Sequence, residues 1–192
     1  MRLRFLIIAS ALVFTFTASA IAQSAASETY TGTMVGIGRS RSVTRTFTLT
    51  LKGRTPDAEV ARDVAILAEG KQDALLEAID DRDLGYFSLG GQIGRRLNFV
   101  TETTLANGDR KIMILFERWM NLYELRSGAR STDYPFSYVE LIVDRNGRGE
   151  GTFIPAARVR FGGGNQVEVE NFGIYPARLF GVRRRNSSER AQ

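Results

Sequence analysis

The clearest alternation of apolar and polar positions lies over residues 43–51. In this stretch apolar side chains and Arg45 occupy the odd-numbered positions, and threonine fills the even-numbered ones. A period of two predicts a β-strand with one buried face and one solvated face. Residues 28–37 also have the composition of a strand, and a turn at 38–42 joins the two segments into a first hairpin.

Helical periodicity follows this hairpin. Thr55 offers a helix N-cap, Pro56 suits the first helical position, and Asp57 places an acid in the first turn. Gly70 stands where a helix C-cap is expected. A second, shorter helix is predicted over residues 72–79. The apolar face of the first helix comprises Val60, Val64, Leu67 and Ala68.

From about residue 87 onward, strand-like segments alternate with strong turn signals. The segments are 92–104, 110–119, 136–144, 149–161, 166–171 and 175–183. Asn107-Gly108 and Asn146-Gly147 supply the two left-handed residues of type I′ hairpin turns. The sequence therefore predicts an α+β fold: a mostly antiparallel sheet of about eight strands, bent or closed into a small barrel, with a two-helix insertion after the first hairpin.

The N-terminus has the pattern of an export signal. Arg2 and Arg4 precede an uncharged apolar stretch of sixteen residues, which ends at the small-residue site Ala20-Ile21-Ala22. This stretch is short for a membrane-spanning helix, so we expect cleavage after residue 22 and no membrane-spanning segment in the product, which is periplasmic or extracellular. The predicted organisation is a cleaved signal peptide over 1–22, a single β-rich domain over 23–183 and a flexible basic tail over 184–192.

The positive charge of the chain is concentrated at its two ends. The export segment holds two of the 26 basic residues and the tail from residue 183 holds four, with one of the 21 acidic residues, so 20 basic and 20 acidic residues remain between them. A neutral body argues against nucleic acid as a partner. We expect none.

The chain contains no cysteine and no histidine. This composition excludes Ser-His-Asp and Cys-His catalysis, thiol redox chemistry, and zinc sites built from thiolate or imidazole ligands. We expect no cofactor and no bound metal, and the balance of the sequence favours a protein that is not an enzyme.

Residues 116–138 are the segment with the most distinctive chemistry. They hold six aromatic residues, including the one tryptophan of the chain, interleaved with arginines and carboxylates. Aromatic faces beside guanidinium and carboxylate groups occur in pockets for sugars, carboxylated ligands and peptide termini. The alternative is that the rings fill the core while the charges line its rim. The candidate binding residues are Trp119, Tyr123, Arg126, Arg130, Asp133 and Tyr134.

Three functions are compatible with these observations. The leading hypothesis is an exported, non-catalytic protein that binds a ligand or associates with the cell envelope, with a small polar or anionic ligand or an envelope protein as its partner. The first alternative is a carboxylate-dependent enzyme acting on glycans, in which Glu117 pairs with Asp133 or Glu140 as acid and base. The second is a protein-interaction module of an envelope assembly, which docks through a strand edge or through residues 134–136.

Overall fold

The computed structural model forms ten β-strands and the helices α1 and α2 within the residues it describes, which are 27–37, 42–118, 126–128, 130–163, 166–173 and 176–185. The predicted export segment and the residues after 185 lie outside these ranges. The helices are α1 Asp57–Ala68 and α2 Gln72–Ile79. The strands are β1 Glu28–Ile37, β2 Ser42–Leu51, β3 Gly85–Leu89, β4 Arg95–Arg96, β5 Phe99–Thr104, β6 Arg110–Glu117, β7 Phe136–Val143, β8 Arg148–Gly163, β9 Gln166–Asn171 and β10 Ala177–Arg185.

All ladders between these strands are antiparallel, and the sheet follows the order β4-β3-β2-β1-β10-β8-β7-β6-β5, with β9 paired to β8. The α+β class, the antiparallel sheet and the position of the helices after the first hairpin are thus confirmed. The structure has ten strands where about eight were predicted. The two additional strands are short, since β3 has five residues and β4 has two.

The two ends of the open ladder order, β4 and β5, are joined through only Leu97 and Asn98. Leu97 donates its backbone N–H to the Gly85 carbonyl oxygen at 2.9 Å, whereas Asn98 donates to the Leu115 carbonyl oxygen at 3.2 Å. The chain therefore turns from the β3 side of the sheet to the β6 side within two residues. This connection requires a strongly curled sheet whose two ends meet.

The concave face of the curled sheet is filled by large apolar side chains from nearly every strand. The ring of Phe87 lies at its centre, with centroid distances of 5.9 Å to Phe47, 5.9 Å to Phe116 and 5.1 Å to Phe153. The other buried members of this cluster are Tyr30, Met34, Leu49, Leu51, Leu97, Val100, Ile112, Ile114, Val139, Leu141, Val143, Ala177, Leu179 and Val182. This cluster is the main core of the fold.

The two helices pack on the outer face of the same sheet. Leu67 of α1 and Leu75 and Ile79 of α2 are buried there. Their partners come from β5 to β8 and are Phe99, Leu115, Phe136, Tyr138, Ile154, Ala157 and Val159. Neither helix has the length and apolar character needed to cross a membrane.

A buried ion pair holds α1 against the segment that follows α2. Asp63 is only 1% exposed, and its carboxylate accepts hydrogen bonds from Arg82 Nη1 at 2.6 Å and Arg82 Nη2 at 3.0 Å. Glu59, one turn earlier, lies 3.2 Å from Arg82 Nε. Asp63 interrupts the predicted apolar face of α1, while Ala68, which was assigned to that face, is exposed.

Thr55 does not cap α1 as predicted. Its Oγ1 accepts a hydrogen bond from the Val100 backbone N–H at 2.9 Å, and its own N–H donates to the Val100 carbonyl oxygen at 2.8 Å. Pro56 precedes the first helical residue without a side-chain cap. The Thr55 hydroxyl therefore stabilises the sheet, because it accepts a hydrogen bond from a backbone N–H of β5. This contact lies where the chain passes from β2 to the helices. Gly70, with φ of 76°, ends α1 in the left-handed conformation as predicted.

The two Asn-Gly sequences form hairpin turns as predicted, but with a different hydrogen-bond pattern. Gly108 donates its N–H to the Leu105 carbonyl oxygen at 2.8 Å, and Leu105 donates to the Asp109 carbonyl oxygen at 2.8 Å. This pattern belongs to a three-residue loop with the glycine in the left-handed position, where Gly108 has φ of 84°. The turn at Gly147 repeats it, with φ of 73°. The prediction of two-residue type I′ turns was wrong.

The last strand extends into the range predicted as a tail. Arg184 and Arg185 belong to β10 and pair with Tyr30 and Thr29 of β1. The first and last strands of the described chain are thus neighbours. One ladder of the sheet therefore joins the two strands that are farthest apart in the sequence.

Candidate functional site

The structure describes three of the six predicted binding side chains, namely Arg126, Asp133 and Tyr134. Trp119 and Tyr123 lie outside the described residues, and Arg130 is described only as backbone of the 3₁₀ turn Arg130–Asp133. Arg126 is exposed. Asp133 and Tyr134 are brought together with residues of β8 and β9 that the sequence did not single out.

Tyr134 ties the connection between β6 and β7 to the β8–β9 hairpin. Its side chain is 3% exposed, and its hydroxyl donates a hydrogen bond of 2.6 Å to Glu170 Oε1. The ring packs against Phe172 with a centroid distance of 5.0 Å, and the guanidinium carbon of Arg158 lies 5.1 Å from the ring centroid. The ring and the hydroxyl of this tyrosine are therefore both in contact with neighbours, which makes Tyr134 a positioning residue for Arg158 and Glu170.

Asp133 also holds Arg158, through both its carboxylate and its backbone carbonyl. Its carboxylate lies 3.2 Å from Arg158 Nη2, and its backbone carbonyl oxygen accepts from Arg158 Nε at 3.1 Å. That carbonyl also accepts from Gln72 Nε2 at 2.8 Å. The arginine that joins the predicted Asp133 and Tyr134 is therefore on β8.

A pattern in the sequence could have identified the β8 and β9 residues. Arginines at 158 and 160 and glutamates at 168 and 170 alternate with apolar residues in two strands joined by a glycine-rich turn. Antiparallel pairing places such residues opposite one another, and the observed register does so, with Arg158 facing Glu170 and Arg160 facing Glu168. What the sequence could not supply was the approach of Asp133 and Tyr134 to this hairpin.

A groove with a volume of about 770 Å³ lies between the α1–α2 connection and β8. Its chemically distinctive lining residues are Lys71, Gln72, Asp133, Arg158, Arg160 and Phe161. The volume is in the range typical of small-molecule sites. We call this space the groove.

The cations of the groove differ in how tightly they are held. Arg158 is 28% exposed and is fixed by Asp133, as described above. Arg160 is 58% exposed and makes an ion pair of 2.9 Å with Glu170, while the exposed Lys71 makes one of 2.8 Å with Glu69. Exposed pairs of this kind contribute little stability, so an incoming anion can compete for Arg160 and Lys71.

Gln72 adds a polar group to the wall of the groove. Its Nε2 is held by the Asp133 carbonyl oxygen, but its buried Oε1 has no hydrogen-bond partner within the part of the chain that the structure describes. A buried acceptor without a donor is costly.

Glu117 and Glu140, one of the two predicted acid/base pairs, lie apart on the sheet. Glu140 accepts a hydrogen bond from Tyr138 Oη at 2.7 Å and lies 2.8 Å from Lys111 Nζ. Glu117 faces Phe136 across the sheet, four positions before Glu140 along β7. Four strand residues span about 13 Å, which exceeds the separation of about 5–9.5 Å used by glycosidases. Burial, together with the hydrogen bond to Glu140, raises the pKa of the Tyr138 hydroxyl.

A second polar cluster, which the sequence analysis did not predict, lies at the end of the sheet opposite the groove. We call it the rim network, and it comprises Glu28, Tyr30, Arg54, Glu102 and Arg110. Glu102 accepts from Arg54 Nη2 at 2.7 Å and Arg110 Nε at 2.5 Å, and Glu28 accepts from Arg110 Nη2 at 3.0 Å and Tyr30 Oη at 2.9 Å. Two carboxylates and two guanidinium groups are thus joined in one hydrogen-bond network.

These contacts shift the ionisation of the rim network. The hydrogen bond from Arg110, reinforced by Arg54 and only partly opposed by burial, lowers the pKa of Glu102 to about 2. Burial raises the pKa of Glu28, but the bonds from Arg110 and Tyr30 outweigh it and leave the pKa below its ordinary value. Burial and the Glu28 carboxylate raise the pKa of Tyr30 to about 12. Both carboxylates therefore stay ionised at neutral pH. This suits ion pairs that hold the strands together and does not suit groups that transfer protons.

Comparison of the chain with protein-family models, with curated proteins and with solved structures found no match. Within the described ranges, no three carboxylates converge in the manner of a metal site. The functional proposal therefore rests on the geometry of the groove.

Proposed function

We propose that this protein is an exported, non-catalytic binding protein that holds a small polar ligand with an anionic group in the groove. The observation that carries the proposal is the pair of guanidinium groups that β8 contributes to the lining of the groove. Arg158 and Arg160 are two residues apart on one strand, and Phe161, 41% exposed, follows them. Guanidinium groups bind carboxylates with directional, charge-assisted hydrogen bonds.

The filled concave face of the sheet supports an external site. The side chains there are buried and packed ring to ring around Phe87. A ligand of ordinary size would have to displace them, at a cost in stability that the groove does not impose. The groove also combines the features of small-molecule sites, namely apolar walls and a few directed polar groups.

The chemistry of the lining defines the class of ligand. Arg160 and Lys71 suit a carboxylate or phosphate, Phe161 suits the apolar face of a ring, and the polar lining residue Gln72 suits a hydroxyl-bearing ligand. A sugar acid or a hydroxycarboxylate combines these groups. Catalysis is not part of the proposal, because Asp133 and Glu140 each have a cationic partner of their own.

Glucuronate, citrate and inorganic phosphate are suitable probes in isothermal titration calorimetry and thermal unfolding. We expect binding of at least one, with Arg160→Ala weakening it about tenfold or more because a charge-assisted hydrogen bond is lost. The matched control is Arg178→Ala, which removes an equally exposed, ion-paired arginine from β10, outside the groove. Absence of binding by all three probes, or equal binding by the Arg160→Ala protein, would contradict the proposal.

Export is tested separately. The protein recovered from the exported fraction is expected to begin at or near Gln23, as read by intact mass. Recovery of a chain that retains residues 1–22 in the membrane pellet would contradict the proposed export and cleavage, while leaving the groove untouched.

A further inference from the structure

The outer face of the sheet is covered by the helices on one half only. The apolar layer beneath the helices is built from β5 to β9, and no described residue of β1, β2, β3 or β10 belongs to it. The side chains of these four strands that point away from the concave core are exposed or half-exposed, except for Thr50, which is 8% exposed. We call this surface, made of the outward positions of β3, β2, β1 and β10, the bare face.

Threonine hydroxyls form a regular grid on the bare face. The register places Thr31 of β1 beside Thr48 of β2, and Thr33 beside Thr46. Ser88 of β3 continues the first of these rows beyond Thr48. The hydroxyls of the four threonines make no hydrogen bond within the part of the chain that the structure describes. Each hydroxyl can donate and accept, so the grid suits a ligand that is itself rich in hydroxyl groups.

Arginines supply the charge of the bare face at its described positions. They lie on β10 and are Arg178, Arg183 and Arg185. Arg178 makes an ion pair of 3.3 Å with Glu150 of β8. Arg183, by contrast, faces Arg148 of β8 directly, and neither forms an ion pair with a described residue. Like charges at opposing positions destabilise a pair of strands, so these two arginines favour an anion that lies between them.

Asp144, in the turn that leads to Arg148, is already committed to that turn. Its Oδ1 accepts the backbone N–H groups of Asn146 and Arg148, each at 2.8 Å. The bond from the Arg148 N–H, with a smaller contribution from the Arg148 charge, lowers the pKa of Asp144. Arg185 lies two residues beyond Arg183, and it also has no ion pair within the described ranges. Three guanidinium groups therefore remain available to an anionic partner.

Two exposed aromatic rings border the hydroxyl grid. Tyr86 of β3 lies beside Thr50 of β2, and Phe180 of β10 lies beside Thr33 of β1. The exposed fractions of the two aromatic residues are 41% and 45%. Aromatic rings offer an apolar face against which the apolar face of a sugar ring can pack. A hydroxyl grid with a ring on each side suits a chain of sugar units.

We propose that the bare face binds an anionic polysaccharide. Arg148 and Arg183 bind the carboxylates of its uronate units, the threonine hydroxyls bind its hydroxyl groups, and Phe180 packs against a sugar ring. The face extends over four strands, about 14 Å across, so it accommodates an extended chain rather than a single small molecule. Nucleic acid fits less well, because DNA-binding proteins commonly neutralise about 6–10 phosphates and three unpaired cations are too few. The bare face shares no residue with the groove, so the two proposals stand independently.

The test is affinity electrophoresis of the protein, as recovered from the producing cell, in gels that contain polygalacturonate or, as the neutral polymer, dextran. We expect polygalacturonate to retard the protein, dextran to have little effect, and added salt to weaken the retardation. Arg183→Gln is expected to raise the dissociation constant about tenfold, because a charge-assisted hydrogen bond is lost. Thr31→Val, which removes one hydroxyl and keeps the size of the side chain, is expected to raise it about threefold.

Matched controls lie outside the bare face. Arg62→Gln removes an arginine of α1 that is 58% exposed, and Thr103→Val removes an exposed hydroxyl from β5. Both control variants are expected to bind polygalacturonate as the parent does. Thermal unfolding separates binding from folding: Arg183→Gln should unfold at the same temperature as the parent or at a higher one, because its repulsion with Arg148 is removed.

Three results would overturn the proposal. The first is the absence of retardation by polygalacturonate, and the second is an equal loss of binding in the bare-face and control variants. The third is tighter binding of a DNA duplex than of polygalacturonate at the same salt concentration, which would assign the bare face to nucleic acid instead.

Discussion

The two faces of the curled sheet are covered by side-chain layers that differ in how completely they are filled. On the concave face, aromatic and aliphatic residues from nearly every strand pack against one another, and Phe87 touches three other rings. On the convex face, the helices cover an apolar layer but leave the groove of about 770 Å³ at its margin. The difference indicates that the two layers have different roles: the concave layer stabilises the fold, and the convex layer leaves room for a ligand.

Truncation of Phe87 is the strongest test of this difference between the two layers. Phe87→Ala is expected to lower the free energy of unfolding by about 3–5 kcal/mol, because it opens a cavity in a fully packed layer. Phe161→Ala, in the groove, is the matched control and is expected to change it by less than about 0.5 kcal/mol, since the ring is half exposed. The measurement is urea unfolding followed by circular dichroism. Similar losses in both variants would show that the two layers do not differ in this way.

Removal of Arg82 tests how the convex layer is held. Arg82→Ala leaves the Asp63 carboxylate buried without its bidentate partner, and we expect a loss of about 3 kcal/mol in the free energy of unfolding. The double variant Asp63→Leu with Arg82→Leu is expected to recover much of this loss, because no buried charge is left unpaired. Lys71→Ala, which breaks an exposed pair beside the groove, is expected to have no measurable effect on unfolding. A small effect of Arg82→Ala would mean that the pair does not hold the helical layer in place.

The rim network predicts a smaller, pH-dependent effect. The pKa of Glu102 is about 2 in the folded protein and 4.5 ordinarily, so its contribution is fully present above pH 4.5 and is lost as the pH falls toward 2. After allowance for solvent screening, this contribution is about 1–2 kcal/mol. Glu102→Gln should therefore be less stable than the parent at pH 7, and the difference should narrow as the solution is acidified. A constant difference from pH 7 to pH 2 would contradict this assignment.

Local patterns predicted the elements and the fold class well, but not the long-range contacts that the curled sheet requires. Residues 28–37, 72–79 and 166–171 were predicted with the bounds that the structure has, because each shows its own periodicity and is bounded by turn residues. The break at Leu97 and Asn98 was hidden inside one predicted strand, since only the curl of the sheet requires it. Thr55 was misassigned for the same reason: its partner, Val100, lies 45 residues along the chain.

The prediction of the candidate site has the same limit, because sequence patterns do not reveal contacts between distant segments. Composition singled out Asp133 and Tyr134, which do contribute to a cluster of aromatic, guanidinium and carboxylate groups. Composition could not reveal their partners, because Arg158 and Glu170 are separated from them by 25 and 36 residues and approach only after the β8–β9 hairpin has folded back. The groove itself lies between the α1–α2 connection and β8, which share no sequence motif.

The pairing of β1 with β10 is expected to be a late step when the chain folds. Tyr30 faces Arg184, so the ladder between the first and last strands joins residues more than 150 positions apart. Such contacts give a high contact order and slow folding, and this ladder cannot form until the last strand has been delivered. Until β10 pairs with it, β1 has a partner on one edge only, namely β2. An unpaired edge of this kind is a template for association with other strands, so the late pairing of β10 also protects the chain from aggregation.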